Sequence, residues 1–382
     1  MKPLSPEQAL SLHLRAQRLL PQEPGAAASA AQVVQAVCGL QAQELPASVL
    51  SVRPRSSGLT AADVERARLE ARSILRTWCQ RGTLHLVATE DWPWLIALLG
   101  PGLISAGRRR FAELGLDGEA GATGLRVLRA ALAGQGPLTR EQIAQHLRAH
   151  DVPAGGQAPY HLIYRMALEG AVCLGPERDG KPTYVLVEDW AGPPHGRVGA
   201  GLSREAALAE LARRYLAAYA PAGPEDLAAW SGLGIREART AMQGIASELV
   251  QVEISGRPAW MLASQAKWLD EPPAPSPVVR LLPRFDTYLL GYAGRELAVA
   301  PEHARRIHPG GGILHPALLV DGRAQGTWST KRRRSGRRDR VELSVAPFAP
   351  LAPEVVTGVE AEAADLARFL EVDVTIKVEE PR

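Results

Sequence analysis

The clearest pattern of apolar and polar positions lies between residues 136 and 190 and predicts two helices followed by a β-hairpin. Thr139 and Gln142 form a candidate capping box, and the apolar residues after them recur at helical spacing. A second helix is predicted from about Gln157 to Gly170, a glycine typical of a helix C-terminus. Two apolar runs around the polar turn PERDGKP are predicted strands. This order is that of a winged helix, in which a helix-turn-helix precedes a hairpin.

The same order of elements recurs downstream. A helix is predicted to begin at Gly223–Asp226 and to end near Gly232, and a second covers Ile235–Leu249. The runs Val250–Ile254 and Pro258–Leu262 then flank a Ser-Gly turn, as expected for a hairpin. Because the match is one of element order and not of residue identity, it indicates an internal repeat of architecture.

The N-terminal third fits the same plan with longer insertions. Helices are predicted for Ser5–Leu20 and for about Ala27–Cys38, before a strand pair formed by Ile74–Trp78 and Thr83–Val87. Thr89 is the predicted N-cap of the helix that follows.

The last quarter of the chain is predicted to be mainly β. A proline-rich stretch, Asp270–Pro277, separates it from the preceding helices. We expect a long hairpin formed by Gln325–Arg333 and Arg337–Val345, then a helix near Glu360–Leu370 and a strand at Val372–Val378.

These patterns predict an α+β protein with tandem winged-helix (helix-turn-helix) domains, a C-terminal β-rich region and a β-hairpin. The expected domains are an N-terminal winged-helix-like domain, two winged helices and the C-terminal β-rich domain, covering residues 1–118, 119–200, 201–270 and 271–382, respectively.

Composition narrows the class of protein. Hydrophobic residues make up 46% of the 382 residues and charged residues 22%, which suits packed cores. Because no apolar run reaches membrane-spanning length and the N-terminus lacks a signal-peptide core, we expect a soluble, cytoplasmic protein with no membrane partner. Cys38, Cys79 and Cys173 are far apart and follow no metal-ligand spacing, so no disulfide framework, metal or cofactor is expected.

Positive charge is concentrated at the predicted tip of the long hairpin. The net charge is only +3, yet the run KRRRSGRRDR at residues 331–340 holds seven cations and one anion. Such a run is typical of a contact with a polyanion, and the alternative is a solvated charged loop. The candidate DNA-binding cations are Lys331, Arg332, Arg333, Arg334, Arg337 and Arg338.

Several short segments, in order along the chain, resemble those of the AlkZ-like winged-helix DNA glycosylases, and the resemblance extends from about residue 5 to residue 345. The segments are Gly39–Gln43, Arg76–Trp78, Arg81–Val87, Leu282–Tyr292, Gly311–Pro316 and Gly326–Trp328.

The resemblance implies three tandem winged helices around a positively charged channel, with a hairpin that contacts double-stranded DNA carrying alkylated guanine. It also implies hydrolysis of the N-glycosidic bond of N7-alkylguanine. Some members open interstrand crosslinks or protect bacteria that make DNA-alkylating compounds. The catalytic motif of the family is Gln-x-Gln or Gln-x-Asp, so the resemblance assigns catalysis to Gln41 and Gln43.

Two amides suit this reaction under two conditions. Alkylation at N7 makes guanine cationic, so the base leaves without a general acid, and an amide can hold a water through its oxygen and nitrogen. Residues i and i+2 diverge on a helix, so the pair needs the irregular turn that Gly39 and Pro46 favour. No lysine lies near the motif, which favours a monofunctional glycosylase.

Three nearby residues have alternative roles. His85 is a candidate contact to a sugar or phosphate, or a structural histidine. Glu44 is a candidate water activator, although its side chain should point away from that of Gln43. Asp286 is expected to form an Asx-turn or to pair with Arg284. The alternative for the whole chain is a non-catalytic winged-helix DNA-binding or regulatory protein, and nothing in the sequence indicates the oligomeric state.

Overall fold

The computed structural model describes residues 2–21, 29–192, 201–272, 274, 276–335 and 338–381, with the backbone alone at 334, 335, 338 and 339. The chain divides into two compact units. The first unit is discontinuous and contains Met1–Glu65 and Ala209–Arg382, whereas the second unit is Arg66–Leu208. The division into four sequence segments stays a prediction, since one compact unit can contain several such segments.

Helices and strands occur throughout the described part of the chain. The α-helices are α1 (Pro6–Ala16), α2 (Ala30–Ala36), α3 (Leu45–Val52), α4 (Ala61–Leu69), α5 (Trp92–Glu113), α6 (Gly118–Gln135), α7 (Arg140–Arg148), α8 (Ala158–Leu168), α9 (Val187–Ala191), α10 (Arg204–Tyr219), α11 (Pro224–Ser231), α12 (Ile235–Gln243), α13 (Thr287–Leu290), α14 (Ala304–Ile307) and α15 (Pro353–Leu370). The strands are β1 (Lys2–Leu4), β2 (Leu40–Gln41), β3 (Ile74–Trp78), β4 (Leu84–Ala88), β5 (Leu138–Thr139), β6 (Val172–Leu174), β7 (Thr183–Leu186), β8 (Leu249–Ile254), β9 (Arg257–Leu262), β10 (Val279–Leu282), β11 (Ala317–Val320), β12 (Arg323–Ser335), β13 (Arg338–Pro347) and β14 (Asp373–Val378).

In the second unit, helices cover a small sheet. Five of its strands follow the order β4-β3-β6-β7-β5, and helix α7 begins at Thr139 with the predicted capping box to Gln142. The order α7, α8, then the antiparallel pair β6 and β7 confirms the predicted helix, helix and hairpin. One detail is wrong: Thr89 does not cap α5, because its hydroxyl donates to the Arg72 carbonyl, and Asp91 occupies the N-cap.

In the first unit, α11, α12 and the hairpin β8–β9 repeat that order, as predicted. Strand β1 adds to the hairpin as a parallel partner of β8. Tyr215, Tyr219 and Trp230 form a buried aromatic core beside these helices, in which Trp230 Nε1 donates to the Tyr219 hydroxyl at 3.0 Å.

The rest of the first unit is built on a five-stranded sheet of order β10-β11-β12-β13-β14. Helix α15 packs on the sheet through Val355, Val359 and Leu366, which share a core with Leu281 and Leu343. The expected hairpin is present and longer than predicted, and the C-terminal helix begins at Pro353, seven residues before the predicted start at Glu360.

Among the described residues, no helix is long and apolar enough to cross a membrane. Likewise, no group of three or more metal-ligating side chains occurs in the described part of the chain. The cysteines Cys38, Cys79 and Cys173 are buried, and none of these three forms a disulfide bond. Burial raises the pKa of Cys79 and Cys173 to about 12, which keeps both thiols protonated and unreactive.

Candidate catalytic turn and basic hairpin

The segment between α2 and α3 holds the two candidate catalytic glutamines, and we call it the catalytic turn (residues 39–44) for that reason alone. It is non-helical because α2 ends in a Schellman motif. Cys38 adopts a left-handed conformation at φ +53°, and its N–H donates to the Gln35 carbonyl. The N–H of Gly39, at φ +104°, donates to the Val34 carbonyl. The chain then continues as β2 and a bend, and re-enters a helix only at Leu45.

Burial alternates along the catalytic turn. Leu40 and Ala42 are both fully buried, whereas Gln41 is half-buried and Gln43 is exposed. An alternation of period two is the signature of extended backbone, in which residues i and i+2 project to the same side. Gln41 and Gln43 are therefore the outward residues of a non-helical turn, as the sequence required. That both amides reach one water stays a prediction.

The carbonyl end of α2 is held by a buried tyrosine. The Tyr219 hydroxyl donates to the Val37 carbonyl at 3.1 Å, two residues before Gly39. Burial raises the pKa of Tyr219 to about 12, so this phenol stays a neutral donor throughout the physiological range.

Glu44 closes the catalytic turn as the N-cap residue of α3. Its side chain makes no capping hydrogen bond, and instead Oε1 lies 2.8 Å from Nη1 of Arg284. The ion pair leaves Glu44 less suited to activate a water than an unpaired carboxylate would be.

The other end of α3 is fixed by a fully buried ion pair. Arg55, just after α3, donates to both carboxylate oxygens of Asp286 at 2.7 and 2.8 Å, and both side chains are completely buried. Asp286 also accepts from the N–H of Tyr288, which confirms the predicted Asx-type turn. The other alternative, an ion pair with Arg284, is not the one formed, since the carboxylate of Asp286 pairs with Arg55.

A second buried arginine ties α3 to the sheet and to α15. Arg53 donates to Glu362 at 2.6 Å, to Asp365 at 2.8 Å and to the Leu281 carbonyl at 2.9 Å. Removing one partner of such a group leaves a buried charge uncompensated, so these contacts fix the position of α3. Sequence reasoning missed Arg53 and Arg55, because a run of arginines at a helix end is normally solvated.

The basic hairpin, formed by β12 and β13, carries its cations on opposed strands. Lys331 pairs in register with Glu342, and Arg332 with Val341. Lys331, Arg332 and Arg333 are exposed, as expected for DNA-contacting cations, and Arg333 lies 3.4 Å from Glu342.

The structure does not describe the side chains of three of the predicted DNA-binding cations. Arg334 and Arg338 lie in the hairpin strands, with the backbone alone described, and Arg337 lies outside the described residues. Their contacts with DNA stay predictions.

The family model for AlkZ-like DNA glycosylases matches residues 34–369, which include the catalytic turn, α3 and the basic hairpin. The chain belongs to the AlkZ-like DNA glycosylase family. It is 30% identical over 361 residues to the interstrand DNA cross-link repair glycosylase of Streptomyces sahachiroi, covering 91% of this chain and 92% of that protein.

A solved structure supports the same assignment. The Streptomyces sahachiroi DNA glycosylase AlkZ is similar to this chain with a TM-score of 0.81 and 27% identity, over 99% of this chain and 100% of that one. The chain is therefore an enzyme of the DNA glycosylase class with the α+β fold of AlkZ.

In this DNA glycosylase, His85 lies in the interior. Its side chain is 3% exposed, and Nδ1 lies 3.0 Å from the Thr83 carbonyl. Burial, aided by the nearby Arg81 charge, lowers the pKa of His85 to about 3, so the ring is neutral at physiological pH. A buried neutral imidazole favours the structural role over a contact with phosphate.

Proposed function

We propose that this glycosylase hydrolyses the N-glycosidic bond of N7-alkylated purines in double-stranded DNA, using Gln41 and Gln43. The observation that carries the proposal is the non-helical turn, on which the two glutamines alternate with the buried Leu40 and Ala42. This turn is fixed on both sides, by Tyr219 at the end of α2 and by the buried arginines after α3.

The reaction needs little from the protein because the substrate is already activated. As the bond between C1′ and the base nitrogen breaks, its electron pair moves into the purine and neutralises the N7 cation. Water bonds to C1′ and releases its proton to solvent. The amides hold that water against the sugar, and positioning of this kind can contribute several kcal/mol.

The proposed reaction stops at the abasic site. A lyase step needs an amine that forms a Schiff base with the sugar. The lysines of the chain are Lys2, Lys181, Lys267, Lys331 and Lys377, and none is near the catalytic turn in sequence. This distribution of lysines supports the proposal of a monofunctional glycosylase.

We infer that the repeated helix, helix and hairpin units grip the duplex as winged helices. Helices α8 and α12 stand in the position of recognition helices, before the hairpins β6–β7 and β8–β9. The exposed cations of the basic hairpin neutralise phosphates. Action on chromosomal DNA would place the enzyme in the cytoplasm, at the nucleoid.

Interstrand crosslinks are a second proposed substrate. The Streptomyces sahachiroi relative is named an interstrand DNA cross-link repair glycosylase. A crosslink joined through N7 of guanine carries the same cationic leaving group as a single N7 adduct, so the same water attack would release one strand.

The test is a single-turnover incubation with a duplex carrying one N7-methylguanine. We expect release of 7-methylguanine, identified by mass spectrometry, and an abasic strand that breaks only on treatment with alkali. A matched duplex with O6-methylguanine, a neutral lesion, should release no base. No release of 7-methylguanine above background would overturn the proposal.

A further inference from the structure

One short loop contacts both ends of the helix that follows the catalytic turn. Arg284 pairs with Glu44 before the first residue of α3, and Asp286 pairs with Arg55 after the last. Phe285, between them, has a left-handed conformation at φ +59°, which a bulky residue adopts only when its surroundings impose it. This loop, residues 284–286, therefore forms one ion pair at each end of α3, and we call it the clamp loop.

The two ion pairs differ in burial. The Arg55–Asp286 pair is fully buried, whereas the side chains of Arg284 and Glu44 are 36% and 42% exposed. Half-exposed ion pairs contribute little to stability. In addition, Nε of Arg284 is buried without a hydrogen-bond partner among the described residues, which opposes any stability that the pair provides. Stability alone does not explain this arrangement.

The position of Glu44 beside the catalytic turn explains the Arg284–Glu44 ion pair better than stability does. Glu44 follows Gln43 directly, and its carbonyl accepts the first helical hydrogen bond of α3, from Ser48 at 3.1 Å. The side chain of Glu44 thus links the last residue of the catalytic turn to the clamp loop. A shift of about 1 Å in a positioning group can cost 10²-fold in rate, so this link bears on catalysis without touching substrate.

We propose that Arg284 is a positioning residue for base release: through Glu44 it sets the position of Gln43 and hence of the water held by the two amides. The inference rests on the proposed function. It also assigns Glu44 a role as anchor of the turn and not as the base that activates water.

The test is a double-mutant cycle on single-turnover release of 7-methylguanine, with Arg284→Gln, Glu44→Gln and the double variant. Each single variant should slow release by about 10- to 100-fold, with the Kd for duplex DNA within about threefold of the wild type. The double variant should be no slower than the worse single variant, because both changes break one link. Arg284→Lys, which keeps the charge, should recover part of the rate.

Arg213 and Glu248 supply a matched control. Their ion pair has the same N–O distance of 2.8 Å, and the side chains are 39% and 43% exposed. Arg213 also pairs with Glu210, so its acidic partners lie in α10 and just before β8 and not in the catalytic turn. Arg213→Gln should release base at the wild-type rate.

Three results would overturn the inference. The first is wild-type release by Arg284→Gln in an active enzyme. The second is independent, multiplying effects in the double variant. The third is a loss confined to the DNA Kd, which would make Arg284 a phosphate contact. An inactive wild type would instead refute the proposed function itself.

Discussion

Polar side chains in this glycosylase acquire their roles from burial. Gln41 and Gln43 alternate with buried neighbours and are more exposed than Leu40 and Ala42. Arg55 and Asp286 are fully buried, and their ion pair fixes the end of α3 at a cost in desolvation. His13 and His85 are buried and neutral.

His13 should make stability depend on pH. Burial lowers its pKa from 6.5 to about 4, although a hydrogen bond between Nε2 and the Pro221 carbonyl opposes the shift. Between these two values the unfolded chain takes up a proton that the folded protein does not. The free energy of unfolding should therefore fall as the pH drops from about 6.5 to about 4, by up to ~1.4 kcal/mol per pH unit.

Urea unfolding at a series of pH values measures this loss. The His13→Gln variant lacks this one titrating group and should lose less stability between pH 7 and pH 4.5 than the wild type. His150→Gln, a change at an exposed histidine, serves as the control and should follow the wild type. Equal losses in all three proteins would show that His13 is not the titrating group.

At the scale of single residues, the sequence predicted only part of the candidate site. The two glutamines were identified by resemblance, since an isolated Gln-x-Gln has no chemical signature of its own. The ion pair between Asp286 and Arg55 was not predicted, because the two residues are 231 positions apart in the sequence. A partner so distant cannot be chosen from local spacing.

At the scale of elements, local sequence patterns predicted which segments are helical better than they predicted where each helix begins. The predicted capping box at Thr139 gave a correct helix start, because its signal is confined to four residues. Helix α15 begins at Pro353 with Ala352 as its N-cap, a residue that offers no capping side chain. Its early start therefore depends on packing against the sheet, which the sequence does not display.

The contact between α15 and β10 makes Gly358 sensitive to substitution. A Cβ at Gly358 would lie 2.4 Å from Cγ2 of Val279, so Gly358→Ala should push the helix off the sheet. We expect a loss of about 1–3 kcal/mol in the free energy of unfolding, measured by urea denaturation. The control Gly134→Ala, in α6 with no atom within 4 Å, should be neutral or stabilising. Equal stability of the two variants would contradict this packing.

The basic hairpin should control affinity and its dependence on salt. Removing two cations with Lys331→Gln and Arg332→Gln should weaken duplex binding and lower the slope of log K against log salt by up to about 2. Glu342→Gln removes the acidic partner of Arg333 and should strengthen binding instead. Fluorescence anisotropy at several salt concentrations measures both effects. An unchanged salt slope in the double variant would show that the hairpin does not contact phosphate.

For the whole molecule, chain connectivity limited what the sequence could predict. The first unit joins Met1–Glu65 to Ala209–Arg382, and β1 pairs with β8 across about two-thirds of the chain. Patterns of period two or 3.6 predict an element and its buried face, but they carry no information about which distant element it packs against. The family comparison supplies that information, through a similar structure that covers 99% of the chain.

The most direct test of the account is the single-turnover rate of 7-methylguanine release by the wild type, Gln41→Ala and Gln43→Ala. Each alanine variant should lose about 10²-fold or more in rate, because one support of the attacking water is gone, and should bind the duplex as tightly as the wild type. Wild-type rates in both variants would contradict the assignment of catalysis to this pair of amides.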